Sequence, residues 1–180
     1  MPLKLTYHIR SIVLMLFLLL PAVVTAEVVC ENRNPAVPIT TPTSDFVLHN
    51  DGTVTHTPTG LMWMRCSLGQ TWDGANCSGE ASTYTWADAL QAAAQNTQFA
   101  GYADWRLPNR RELQSIVEQS CWLPAINAAV FPNTPAGWFW SSSPYANNGG
   151  RAWYVYFHYG LVNHYSKGYA VRVRLVRARQ

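Results

Sequence analysis

The sequence predicts an α+β domain, two helices packed on small antiparallel sheets. Three patterns lead there: short strand signals early in the chain, two capped helical segments in the middle, and period-two alternation through the C-terminal part. Phe46-Val47-Leu48 and Thr53-Val54-Thr55 flank Asn50-Asp51-Gly52, a hairpin signal, and Leu61 to Met64 reads as a third short strand. Thr85 caps a helix from Trp86 to about Asn96, with Trp86, Leu90 and Ala93 or Ala94 on one face. Asn109 caps a second helix, Glu112 completes the capping box, and Leu113, Ile116 and Val117 form its buried stripe. Trp138 to Ser141, Trp153 to Phe157, Leu161 to Tyr165 and Val171 to Val176 are the later strands. In the Trp153 strand, Trp153, Val155 and Phe157 are expected in the core, with Tyr154, Tyr156 and His158 forming an outward aromatic row.

The ends of the chain and its cysteines define the compartment. Residues 1–26 read as an export signal: Lys4, His8 and Arg10 are the basic start, Ile12 to Leu20 the apolar core, and Val24-Thr25-Ala26 the cleavage site. The apolar stretch is short for a spanning helix, which favours cleavage over the alternative of an uncleaved anchor; no other apolar segment approaches spanning length, so no membrane insertion is expected after cleavage, and the mature protein should be periplasmic, secreted or at the cell surface. Residues 27–44 form an extended arm rich in Pro and Thr, and the domain occupies 45–180. An even count of four cysteines in an exported chain points to two disulfides, with three connectivities open. Cys66 and Cys77 bracket a polar, Gly-rich loop and are expected to pair, which leaves Cys30 for Cys121.

Composition narrows the function. There are 13 Lys and Arg against 10 Asp and Glu, and loss of Lys4 and Arg10 with the signal leaves a near-neutral chain without the basic excess of a nucleic-acid binder. Eight Trp and nine Tyr exceed what an ordinary core requires, so aromatic surface is expected. After Glu118 there is no acidic residue, whereas Arg151, Lys167, Arg172, Arg174, Arg177 and Arg179 are basic, which suits a protein or glycan ligand of acidic character. His49 and His56 beside Asp51 read as hairpin residues rather than metal ligands. No nucleophile elbow or phosphate loop is present, so no cofactor or catalytic residue is assigned.

Several motifs recur in a known order. They are Thr59-Gly60-Leu61-Met62-Trp63, Thr85-Trp86, Asp104-Trp105-Arg106-Leu107-Pro108-Asn109, Pro124-Ala125-Ile126-Asn127, Phe131-Pro132, Trp140-Ser141-Ser142 and Val173-Arg174-Leu175-Val176-Arg177. Together they resemble the C-terminal domain of Legionella collagen-like proteins, the Lcl C-terminal domain family. The resemblance implies a C-type-lectin-like fold in exported or surface proteins that act as adhesins or ligand-binding modules. Some members resemble targets of diversity-generating retroelements, whose randomised codons derive from AAY. If Ala152, Trp153, Val155, Phe157, Gly160, Val162 and Lys167 are read as a fixed frame, the other 19 positions from Asn147 to Arg172 contain none of the Lys, Glu, Gln, Trp and Met that such codons cannot reach.

The candidate binding surface is Arg151, Tyr154, Tyr156, His158, Tyr159, Asn163, His164, Tyr165, Tyr169 and Arg172, expected as one contiguous patch. Three functions follow: a ligand-binding domain with a diversified surface, an undiversified carbohydrate adhesin, and, third, an enzyme of the formylglycine-generating type, whose chemistry would need a reactive cysteine pair.

Overall fold

The computed structural model describes residues 29–96 and 98–178. The expected export signal, residues 1–26, lies outside the described residues. The elements run β1 (Phe46–Leu48), β2 (Thr53–His56), β3 (Leu61–Met64), β4 (Thr71–Trp72), β5 (Cys77–Ser78), β6 (Thr83–Tyr84), α1 (Trp86–Gln95), α2 (Arg110–Gln114), β7 (Trp138–Pro144), β8 (Arg151–Tyr156), β9 (Leu161–Ser166), β10 (Val171–Arg172) and β11 (Val176–Ala178). They form a four-stranded sheet in the order β1-β2-β3-β11, a five-stranded sheet in the order β6-β10-β7-β8-β9, and the small β4-β5 pair. Every pairing is antiparallel except β10 with β7. The domain is α+β with strand predominating.

Local chemistry explains the elements. Asp51 Oδ1 accepts from the Thr53 amide at 2.9 Å and its hydroxyl at 2.7 Å, while Gly52 takes φ +82°, so the hairpin turn closes where the sequence places it. Thr85 accepts from the Asp88 amide to start α1, whose buried residues are Ala89 and Ala93. Asn109 and Glu112 complete the capping box of α2. That helix stops after five residues, where the Ser115 hydroxyl donates back to the Glu112 carbonyl at 2.7 Å, and Ile116 and Val117 are buried just beyond its end. Both Glu112 oxygens also accept from Arg106 at 2.7 Å.

The five-stranded sheet is covered on both faces, which corrects the assignment of β8. Val155 and Phe157 pack with Phe139, Leu113, Ile116, Phe131 and Trp63 in one core. On the other face Ala152 and Tyr154 pack with Trp140, Trp105, Ala89 and Ala93 in a second core beneath α1. Tyr154, expected outside, is therefore only 8% exposed, while Trp153, expected in the core, is half-buried with the Arg110 guanidinium 4.6 Å from its ring. Alternation separates two faces of a strand without saying which is covered, and here α1 covers the second. The expected strand Val171 to Val176 is also divided. β10 belongs to the five-stranded sheet and β11 to the four-stranded one, so residues 173–175 cross between them.

Two buried ions hold this arrangement. Arg174 sits in the crossing, donating to the carbonyls of Met64 and Arg65 and to Thr134 Oγ1 at 2.7 Å, with Phe131 beneath its guanidinium. Burial pushes its pKa down to about 9, which still leaves it charged at neutral pH. Glu118 is fully buried, and its carboxylate accepts from the amides of Thr40, Thr41 and Ser120 and from the hydroxyls of Thr41 and Ser120. The N-terminal arm is thereby docked on the domain. The disulfides Cys30–Cys121 and Cys66–Cys77 are both formed, and no cysteine is free. No helix among the described residues is long and apolar enough to cross a membrane.

Three outcomes follow for stability. Burial of Glu118 opposes its ionisation, but the hydrogen bonds from Ser120, Thr41 and Thr40 prevail and hold its pKa below the ordinary value of 4.5. Its contribution is thus complete above that value and is lost as pH falls through the lower folded pKa. Glu118→Gln turns a donor toward those donors and should destabilise by about 1 to 3 kcal/mol. Acid titration of circular dichroism should show a shallower acid limb in that variant; an unchanged limb would mean that other carboxylates set it. Tyr154→Ala should lower stability by about 3 kcal/mol, against about 1 kcal/mol for half-buried Tyr156→Ala, as read by urea melts. Opening the short disulfide with Cys66→Ser and Cys77→Ser should remove about 3 kcal/mol, measured in the same way.

Candidate functional site

The exposed aromatic surface is built on β7, β8 and β9. Opposed residues in the register share a face, which places Trp138 beside Tyr156, Tyr156 beside Leu161, Tyr154 beside Asn163 and Ala152 beside Tyr165. Tyr154 lies at the floor, stacked on Trp138 with ring centroids 5.3 Å apart. Trp138 stands edge-on to Tyr165 at 5.0 Å and to Tyr156 at 6.1 Å. Tyr165 continues to Tyr169 at 4.4 Å, and Tyr156 continues through His158 at 5.3 Å to Tyr159. The outer rings of this row are open to solvent, Tyr159 at 57% and Tyr169 at 53% exposed, and Leu161 beside them is exposed as well.

The expected single patch is divided by the sheet. Tyr156, Asn163, Tyr165 and Tyr169 gather on the Trp138 face, Tyr154 is buried beneath it, and His158 and Tyr159 occupy the turn at its end. Arg151 and His164 lie on the opposite face. There Arg151 Nη1 is 3.3 Å from His164 Nδ1, and the His164 ring stacks on Tyr145 at 3.7 Å. Arg172 is on neither surface. It follows the face of Phe139 in the parallel register, and its guanidinium lies against Gly137. A contiguous patch of all ten residues is therefore not formed, because direct neighbours along β9 alternate between faces.

Sequence reasoning missed Trp138, the residue that joins the two halves of the aromatic row. Its signal was available, since it begins a strand two residues before Trp140 and is opposed by a tyrosine-bearing strand. Leu161 was also passed over, although its pairing with Tyr156 places it on the row. The opposite face carries an open cleft lined by Asn109, Arg110, Arg111, Ser143 and Trp153.

Electrostatics agree with the packing. Burial, and then the neighbouring Tyr156, raises the pKa of Tyr154, while a hydrogen bond with Tyr169 raises that of Tyr165, so both hydroxyls are neutral at physiological pH. Near the hairpin, His49 Nε2 is 3.0 Å from Thr55 Oγ1, and His56 stacks on Phe46 at 4.7 Å, where burial lowers its pKa. Among the described residues no group of three or more His, Cys, Asp or Glu gathers that could hold a metal ion. The chemistry on offer is neutral aromatic contact area flanked by cations.

No curated protein matches the chain. The profile of the Lcl C-terminal domain matches residues 52–177, which spans the five-stranded sheet, both helices, the aromatic row and the four-stranded sheet except β1 and Ala178, and the chain belongs to that family.

Proposed function

We propose that the chain is an exported binding domain of C-type-lectin-like fold that holds a protein or glycan ligand on the Trp138, Tyr156 and Tyr165 row. The observation that carries this reading is the row itself: half-buried rings anchored by a packed floor, with more exposed rings at both ends. Tyr and Trp offer rigid amphipathic area at low entropic cost, so side chains already held by their neighbours lose little freedom when a ligand arrives. Family membership and two formed disulfides support an extracellular or periplasmic setting. Commitment of all four cysteines to bridges supports a binding role over the formylglycine-generating reaction, which needs a reactive thiol.

Diversification of the C-terminal part is supported by the exposure of Asn147, Asn148, Tyr159, Leu161, Asn163 and Tyr169. The undiversified adhesin is favoured by one observation, the burial of Tyr154 and Val171, where random replacement would damage the second core. An adenine-rich template repeat beside a reverse transcriptase gene distinguishes the two.

A glycan and protein array on the disulfide-bonded protein should yield a ligand, whose affinity is then measured by titration. Tyr156→Ala, Tyr165→Ala and Tyr169→Ala should each weaken it by about 1 to 3 kcal/mol, with circular dichroism unchanged. Full affinity in the triple variant would place the ligand elsewhere.

A further inference from the structure

We propose that β9 is a docking edge at which an extended acidic segment of a partner polypeptide adds to the five-stranded sheet as a sixth strand. The proposal rests on the binding reading above and names the class of ligand. β9 is the outermost strand, and its pairing with β8 runs unbroken over six residue pairs. Natural edges are blunted by proline, charge, bulges or shortness, and Leu161–Ser166 contains no proline, no Asp, Glu, Lys or Arg, and no break in register. The His164 amide does not donate to β8. It donates to the Oδ1 of its own neighbour, Asn163, at 2.8 Å, so it points away from the sheet, and alternation turns the Val162 amide the same way. A side chain fills the place of the missing strand at that position.

The division of the surface residues points to the same kind of ligand. Tyr165 and Asn163 lie on one face of β9, while His164 lies on the other beside Arg151. A ligand that touches both sets has to straddle the edge. An added strand does so by construction, because its successive side chains fall on opposite faces while its backbone meets the free amides and carbonyls. On the Trp138 face those side chains would meet Leu161 and Tyr165; on the other they would meet His164 and the Trp153 ring, 5.4 Å apart.

Charge selects the segment. Arg151 lies beside His164 and Lys167 directly follows the edge strand, while Arg110 and Arg111 line the cleft at Trp153, with Arg110 over the Trp153 ring and Lys167 over Trp86 at 4.1 Å. The salt bridges among the described residues, Arg106 with Glu112 and Arg177 with Asp104, involve none of these four. No Asp or Glu follows Glu118 in the sequence, and none of these four cations is held in a salt bridge among the described residues, so carboxylates of a partner segment complement them.

The test uses the disulfide-bonded protein, amide hydrogen exchange read by NMR, and two probes: a short peptide alternating glutamate and threonine, and its lysine counterpart. The glutamate peptide should slow exchange at Val162 and His164 by about tenfold or more, and the lysine peptide should not. Asn163→Asp, which puts a like charge on the exposed edge, should weaken the glutamate peptide by about tenfold. His164→Pro, which removes an amide that β8 does not use together with the ring stacked on Tyr145, should abolish the protection at Val162, whereas His164→Ala, which removes the ring and keeps the amide, should retain it. Equal binding of the two peptides, or glutamate-peptide binding without protection at these amides, would overturn the proposal. So would protection that rises with protein concentration alone, since a second copy of the chain would then own the edge. An array ligand that depends on Tyr156 and Tyr165 yet leaves both amides unprotected would sink strand addition and spare the aromatic row. Edge protection that survives the triple tyrosine variant in full would do the reverse.

Discussion

The crossing of the C-terminal segment from one sheet to the other, with Arg174 buried in its middle, is the constraint on which the remaining structure depends. Within residues 171–178 the chain pairs first with β6 and β7 and then with β3, so the two sheets cannot move independently. A guanidinium in that position loses its hydration, a penalty of several kcal/mol that no carboxylate among the described residues offsets. Two backbone carbonyls, a threonine hydroxyl and the Phe131 ring offset it instead. These acceptors have directions, unlike apolar contacts, so the crossing is held in one orientation relative to the end of β3 and to Thr134.

Glu118 applies the same solution with the opposite sign. Its carboxylate is met by amides and hydroxyls of Thr40, Thr41 and Ser120 rather than by a cation. Separate burial of the two ions has a consequence for the surface. The acidic residues with ion-pair partners, Asp104 and Glu112, are used by Arg177 and Arg106 on the scaffold, which leaves Arg110, Arg111 and Arg151 outside those pairs near β9. The positive character of that region therefore follows from how the scaffold uses its carboxylates, not from a large net charge.

Much of the scaffold was legible because its signals are local. The Asn109 to Glu112 capping box, the Thr85 cap, the Asn50-Asp51-Gly52 turn and both disulfides appear where the residues place them. The short pairs Thr71–Trp72 with Cys77–Ser78 and Thr83–Tyr84 with Val171–Arg172 were not legible, since two-residue strands have too little period to read. The split of the last strand was hidden for a different reason. Val171 to Val176 alternates like one strand, and only long-range pairing divides it. The candidate site suffered the same loss: Tyr154 and Tyr156 look equivalent in sequence, but α1 and Trp140 cover the first and leave the second half open.

On the binding function proposed above, the half-open state of the row is what suits it to a ligand. A fully exposed tyrosine must give up rotamer freedom when it binds, and a fully buried one presents no area. Trp138, Tyr156 and Tyr165 lie between these limits, each held on one side by a neighbour and open on the other. Buried Tyr154 supplies the support, being stacked against Trp138 and edge-on to Tyr165. The residue that sequence alternation presented as a contact is thus the reason its neighbours can serve as contacts. Random change would be tolerated at the rim and penalised at the floor, because loss of the Tyr154 ring removes packing from the second core and the backing of Trp138 together.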